Sequence, residues 1–325
     1  MKKIYSAFFA LLVVALVSSC TKNRNDIIID LGGVENGGGN KDTTSTSTNK
    51  PKALVLFNAS VESLAQSKGV TALPADRYAM IWAYNAADPL SSGLINRVIY
   101  KSATAGVLTP VNNPMYLPNN TYNFYSVSTN SSSNQNPSFN GQTGISTSSL
   151  SNGIDYLWWS SANNAIAATT VNIPIVYTHC GTQIVIKLYA GNGVQLNSQS
   201  AATITPSNPQ GSQMNLVTGV ITPSTSVSSQ VVNMGVSNFV SQYTMLPLSM
   251  SGNLTATFTV TINNETKARV FSVNIPVPSG KLAPGKSYLY KAIVNANEII
   301  FSSVDVIDWI IVNEEGTPLY PTQIQ

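Results

Sequence analysis

The side chains of this sequence that could carry chemistry are few. It has one histidine, His179, and two cysteines, Cys20 and Cys180. His179 and Cys180 are adjacent in a strand-like stretch from Ile173 to Leu188. Neighbours on a strand point to opposite faces, so they cannot form a nucleophile–base dyad there. With no second histidine and no further cysteine, a zinc site of the usual ligand set cannot be assembled. His179 therefore reads as a satisfied histidine at a strand edge or core rim. Cys180, among Ile173, Ile175, Val176, Ile184 and Val185, reads as a buried, inert thiol. Asp155, Asp305 and Asp308 are the acids that a paired-carboxylate hydrolase would need to bring together, and nothing in their spacing converges them. Phosphate-cradling glycine loops, a GxSxG elbow and calcium-loop patterns are absent from the sequence. The residues argue against an enzyme and call for no metal or cofactor.

Cys20 differs, because its surroundings suit acylation. Lys2 and Lys3 open the chain, an apolar run from Ile4 to Val17 broken only by Ser6 follows, and Ser18 and Ser19 precede the cysteine. That order of charged, apolar and small residues is a secretory signal peptide. The run is shorter than the ~20 residues of a spanning helix, and the polar Thr21 to Arg24 follow at once. Val17-Ser18-Ser19-Cys20 resembles the bacterial lipobox, in which the thiol receives a diacylglyceryl group, the bond between Ser19 and Cys20 is cut, and the new amine is acylated. Acyl chains contribute about 0.8 kcal/mol per buried CH₂, so several of them give a stable tether. The expectation is a signal peptide over 1–19 and a mature protein held on the outer membrane by lipid on Cys20, at the cell surface or in a fimbrium. Asp26 stands alone among Lys22 and Arg24, so this tract lacks the acidic run that favours surface export in some bacteria.

Trp158 and Trp159 are the remaining binding candidates. Aromatic faces stack on sugars, and adjacent strand positions would turn one ring outward as a glycan contact; the competing reading is core packing or a lid at a domain seam.

These residues must be positioned by strands. Charged residues make up 10% of the chain and apolar ones 43%, enough to bury a core and too few charges to drive disorder. The formal net charge of +3 includes Lys2 and Lys3, and no basic run suits nucleic acid. Residues 20–52 include the tract Leu31 to Lys52, rich in Gly, Ser, Thr and Asn, which reads as a flexible stalk; Ile27-Ile28-Ile29 is its apolar exception. From Ala53 onward, short alternating or β-branched runs are separated by Pro, Gly, Asn and Ser. They cover Ala53 to Phe57, Tyr78 to Tyr84, Tyr122 to Val127, Ile184 to Leu188, Leu254 to Ile262, Val270 to Ile275, Ser287 to Val294 and Ile299 to Ile310. The pattern predicts an all-β fold of sandwiches. One such sandwich takes about 100 residues, so two are expected, over 53–168 and 169–325, with the seam near Ala168.

The order of several segments resembles a family. Tyr122 to Val127, Gly153 to Trp159, Ile173 to His179, Met214 to Gly219, Tyr243 to Leu248, Leu282 to Tyr290 and Val306 to Trp309 look like the spaced blocks of the fimbrillin-like, mini-fimbrillin-related lipoproteins. Those are type V pilus subunits and related adhesion proteins of anaerobic Gram-negative bacteria. The resemblance implies two transthyretin-like β-sandwich domains and a role in cell adhesion or fimbrial assembly, as a pilus subunit, anchor or stand-alone adhesin, with no cofactor. It implies as partners other pilin subunits joined by strand donation, and surface glycans or proteins of host or bacteria. In that family an arginine-specific cut removes the lipidated segment, yet after Arg24 the next arginine here is Arg77, inside the expected sandwich. The departure points to different maturation or to a subunit that keeps its lipid. Asp42-Thr43-Thr44 resembles the O-glycosylation acceptor of these bacteria, which implies sugar on Thr43.

Overall fold

The computed structural model describes residues 51–62, 69–88, 90, 92–134, 145–307 and 309. Cys20, Ser19, Thr43, Asp308 and the expected stalk up to Lys50 lie outside the described residues, whereas Lys52, expected at the stalk's end, opens the first strand. The described residues belong to one compact unit, Asn49–Gln325, and the fold is all-β, as the alternating runs predict.

Nine strands form the first sheet: β1 (Lys52–Glu62), β2 (Val70–Ala72), β3 (Tyr78–Asn85), β4 (Leu94–Thr104), β5 (Val107–Pro110), β6 (Met115–Pro118), β7 (Asn120–Ser128), β8 (Leu157–Ile166) and β9 (Thr170–His179). Its path runs β1-β5-β4-β3-β7-β8-β9, and β9 returns to pair with β1, so the sheet closes on itself. Closure satisfies edge groups that an open sheet leaves unpaired. The β1–β9 pair is parallel and spans Leu54↔Thr170 to Val61↔Tyr177. Strict alternation in β1 turns Ala53, Val55, Phe57, Ala59 and Val61 inward, where Ile173, Ile175 and Tyr177 of β9 meet them. Inside the ring, Phe57 packs edge-on against Tyr100 at 5.3 Å and Phe124 at 5.8 Å, the geometry that ring quadrupoles favour.

The second half contains β10 (Thr182–Ala190), β11 (Leu196–Ile204), β12 (Val232–Asn233), β13 (Gly235–Ser237), β14 (Val240–Met245), β15 (Leu248–Ser249), β16 (Asn253–Ile262), β17 (Arg269–Pro276), β18 (Lys281–Leu282), β19 (Lys286–Val294) and β20 (Ile299–Ile307). A five-stranded sheet, β13-β14-β10-β19-β20, faces a four-stranded one, β12-β11-β16-β17; β15 and β18 form a small ribbon. The apolar/Thr alternation of β16 buries Leu254, Ala256, Phe258, Val260 and Ile262 against Ile184, Ile186, Tyr288 and Tyr290 of the facing sheet. At roughly 1.5–3 kcal/mol per large side chain, such a layer dominates the stability of the sandwich.

Sheet membership changes at Cys180-Gly181. The strand-like run expected from Ile173 to Leu188 is thus two strands in different sheets, β9 held by β1 and β10 by β14 and β19. A third apolar cluster lies at this junction. Trp82 and Tyr84 of β3 and Tyr125 and Val127 of β7, on the outer face of the closed sheet, pack with Tyr156, Cys180, Met214, Leu216, Ile221 and Leu246. Segments from both halves of the chain thereby share a core.

Candidate functional site at the junction of the sheets

β9 carries His179 to its last position, and the segment entering β8 brings Asp155 beside it. His179 Nδ1 and Asp155 Oδ1 are 2.7 Å apart, with the two side chains only 5% and 18% exposed. The other carboxylate oxygen accepts a 2.9 Å hydrogen bond from Asn130 Nδ2. Asn130 follows β7 with φ of 48°, a left-handed conformation that asparagine tolerates better than most residues. Trp309, just beyond β20, stacks on the imidazole with centroids 4.1 Å apart and planes 14° from parallel. The only histidine of the chain is thus paired, covered and turned away from solvent, which suits clamping and leaves little room for proton transfer to a bound molecule.

The turn before β19 packs on the same spot. Gly285 donates its N–H to Gly181 O at 2.6 Å, and a Cβ on Gly285 would stand 2.8 Å from the His179 carbonyl. Its φ of +70° adds a second reason for glycine. Thr182 Oγ1 donates to Ala283 O at 2.7 Å, and the Ala283 N–H donates to Tyr288 Oη at 3.0 Å, which fixes the turn. Cys180 is 4% exposed. Burial, and secondarily the Asp155 charge, push its thiol far above the ordinary range, so it stays protonated and unreactive.

The two tryptophans of β8 face opposite ways. Trp158 donates its indole N–H to Leu216 O at 2.7 Å and packs in the junction cluster. Gly219, with φ of +69°, lies so close to that ring that a Cβ there would overlap it. Trp159 packs partly buried against the core of the closed sheet. Asp305 is spent on a different partner from Asp155: it pairs with Lys291 of the neighbouring strand at 2.8 Å, half exposed. Its carboxylate raises the Lys291 ammonium above its usual range by hydrogen bonding and charge.

Sequence reading singled out His179, Asp155, Trp158 and Trp159, and the junction holds His179, Asp155 and Trp158. It missed Asn130 and the roles of Trp309 and Gly285 as contacts. The usable signal was a lone histidine in a charge-poor chain, which needs a partner; that the blocks holding Asp155, His179, Gly285 and Trp309 meet is set by the topology.

The fimbrillin-like family model matches residues 75–309, a span that begins just before β3 and ends on Trp309. No curated protein matches the chain in sequence. Among solved structures, a candidate cell adhesion protein of Bacteroides ovatus is similar at 14% identity with a TM-score of 0.59, covering 81% of this chain and 99% of that one. Another from Bacteroides uniformis gives 16% identity and a TM-score of 0.56 over 80% and 99%. A third, from Bacteroides fragilis, gives 12% and 0.52 over 79% and 98%. At those identities the likeness speaks for the fold, and the family model speaks for kinship. The chain belongs to the fimbrillin-like family.

Proposed function

We propose that this protein acts in cell adhesion or fimbrial assembly at the bacterial surface, as a lipid-tethered subunit that keeps its N-terminal strand. The observation that carries this reading is the family match over residues 75–309, whose segments assemble the shared junction core and the clamped His179. A closed sheet and a two-sheet sandwich sharing that core suit a load-bearing role. The sequence around Cys20 supports export and lipid attachment on the outer membrane.

Retention of β1 has its own support. Arg77, the first arginine after Arg24, sits where an arginine-specific cut would release β1 and β2 together. Its N–H donates to Ser102 Oγ at 2.8 Å and its carbonyl accepts the Ser102 N–H at 2.9 Å. A protease needs an extended, accessible segment, and this one is tied down on both sides of the peptide unit. Such a subunit fits an anchor or a stand-alone adhesin better than a repeating shaft unit. In cells carrying Cys20→Ser, the protein should leave the membrane fraction and surface attachment should fall to the level of a deletion strain. Unchanged fractionation would remove the lipid, and unchanged attachment would remove the adhesion role.

A further inference from the structure

The chain contains four Asn-Gly pairs, and two of them, Asn152-Gly153 and Asn192-Gly193, lie among the described residues. Asparagine before glycine is chemically labile, because the glycine nitrogen can attack the side-chain amide carbon with no β-carbon of its own in the way. The attack needs a glycine N–H that is not held elsewhere and an amide free to turn toward it. The two pairs differ on both counts. Asn152 is locked: its Nδ2 donates to Ser207 O at 2.7 Å, and its Oδ1 accepts the Leu246 N–H at 2.8 Å and the Ser207 hydroxyl at 3.1 Å. The nitrogen that would attack it is held as well, since the Gly153 N–H donates to Thr244 O at 2.8 Å. Asn192 and Gly193 are both exposed, at the centre of the turn between β10 and β11, which the Val194 N–H closes by donating to Gly191 O at 3.1 Å. Among the described residues, neither the Asn192 side chain nor the Gly193 N–H has a hydrogen-bond partner. Gly193 has φ of +70°, as the third residue of a type II turn requires, and a Cβ there would meet nothing within 4 Å.

We infer that Asn192 is a site of spontaneous deamidation through a cyclic imide, in a fold that protects Asn152 from the same reaction. The Gly193 nitrogen forms a bond to Asn192 Cγ and gives up its proton. The Cγ–Nδ2 bond breaks, and the amide nitrogen leaves with that proton as ammonia. Solvent water then opens the imide at either carbonyl. Opening at Cγ leaves an aspartate, and opening at the main-chain carbonyl leaves an isoaspartate, whose main chain runs through the former side chain. Both products put a carboxylate where a neutral amide stood. The turn joins β10 of the five-stranded sheet to β11 of the four-stranded one, at the end of β10 away from Cys180-Gly181. Its base is pinned, because the Gly191 N–H donates to Val294 O of β19 at 2.9 Å, so the change is confined to the exposed tip. In a chain with only 14 acidic residues, one more carboxylate is a marked change of surface charge. The assignment goes beyond adhesion or assembly and holds whichever of those roles the protein plays.

Peptide mass spectrometry of the full chain, aged in mildly alkaline buffer and digested under acid conditions, tests it. The peptide carrying residue 192 should convert several-fold faster than the one carrying residue 152, giving aspartate and isoaspartate that electron-transfer fragmentation tells apart. In urea, where both pairs lose the restraints of the fold, the two rates should converge. Equal rates in the folded protein, or faster conversion at residue 152, overturn the assignment. A difference that persists undiminished in urea also overturns it, since local sequence and not the fold would then set the rates.

Discussion

Asp155 has lost most of its access to water, and its two carboxylate oxygens are engaged by His179 and Asn130. Removing one member of a buried charged or hydrogen-bonded pair costs about 3 kcal/mol, because the other is left without a partner. Asp155→Asn should therefore lower unfolding stability by about that much in a denaturant titration, and the loss should be similar for His179→Ala. A near-silent result for both would mean that the cluster is decorative. A different residue governs behaviour in alkali. Burial raises the Tyr100 hydroxyl to about 12, whereas an unfolded tyrosine ionises near 10. The folded state holds the proton more tightly, so its contribution is complete below about pH 10 and is lost as pH rises toward 12. Tyr177 and Tyr290 are shifted the same way by burial and steepen the loss. Urea midpoints should be flat up to about pH 10 and then fall, with Tyr100→Phe showing a shallower decline.

At the scale of elements, the turn that enters β19 depends on Gly285. Alanine there would be strained at positive φ and would press on the His179 carbonyl at 2.8 Å. Gly285→Ala should cost more than about 1 kcal/mol, read as a lower melting temperature, while Gly193→Ala, in open space, should cost less. The strands were legible wherever one face is apolar and the other polar, as in β1 and β16, since period-two alternation is what a half-buried strand imposes. β8 was not legible as a strand because its middle, Ser160 to Asn164, is polar and interrupted by Asn163 at φ of 57°. The break at Cys180-Gly181 was hidden for the opposite reason: apolar residues continue across it, and periodicity does not report which sheet a strand joins. Likewise the stack of Trp309 on His179 joins distant segments, and only topology brings them together. The blocks were readable; their meeting point was not.

For the whole molecule, the junction core decides mechanical behaviour. Trp82 and Tyr125 from the closed sheet share a cluster with Met214, Leu216 and Leu246 from the second half, so neither half can open without exposing it. Scanning calorimetry should give one cooperative transition for the described unit, and two well-separated transitions would mean that the halves are independent. That rigidity suits the tethered adhesion role proposed above. The central claim is a fimbrillin-like surface protein that stays lipidated and keeps β1. The most direct test is the N-terminus of the protein isolated from its native cells, read by mass spectrometry. A chain beginning at acylated Cys20 is the predicted result; one beginning at Tyr78, with β1 gone, would contradict it.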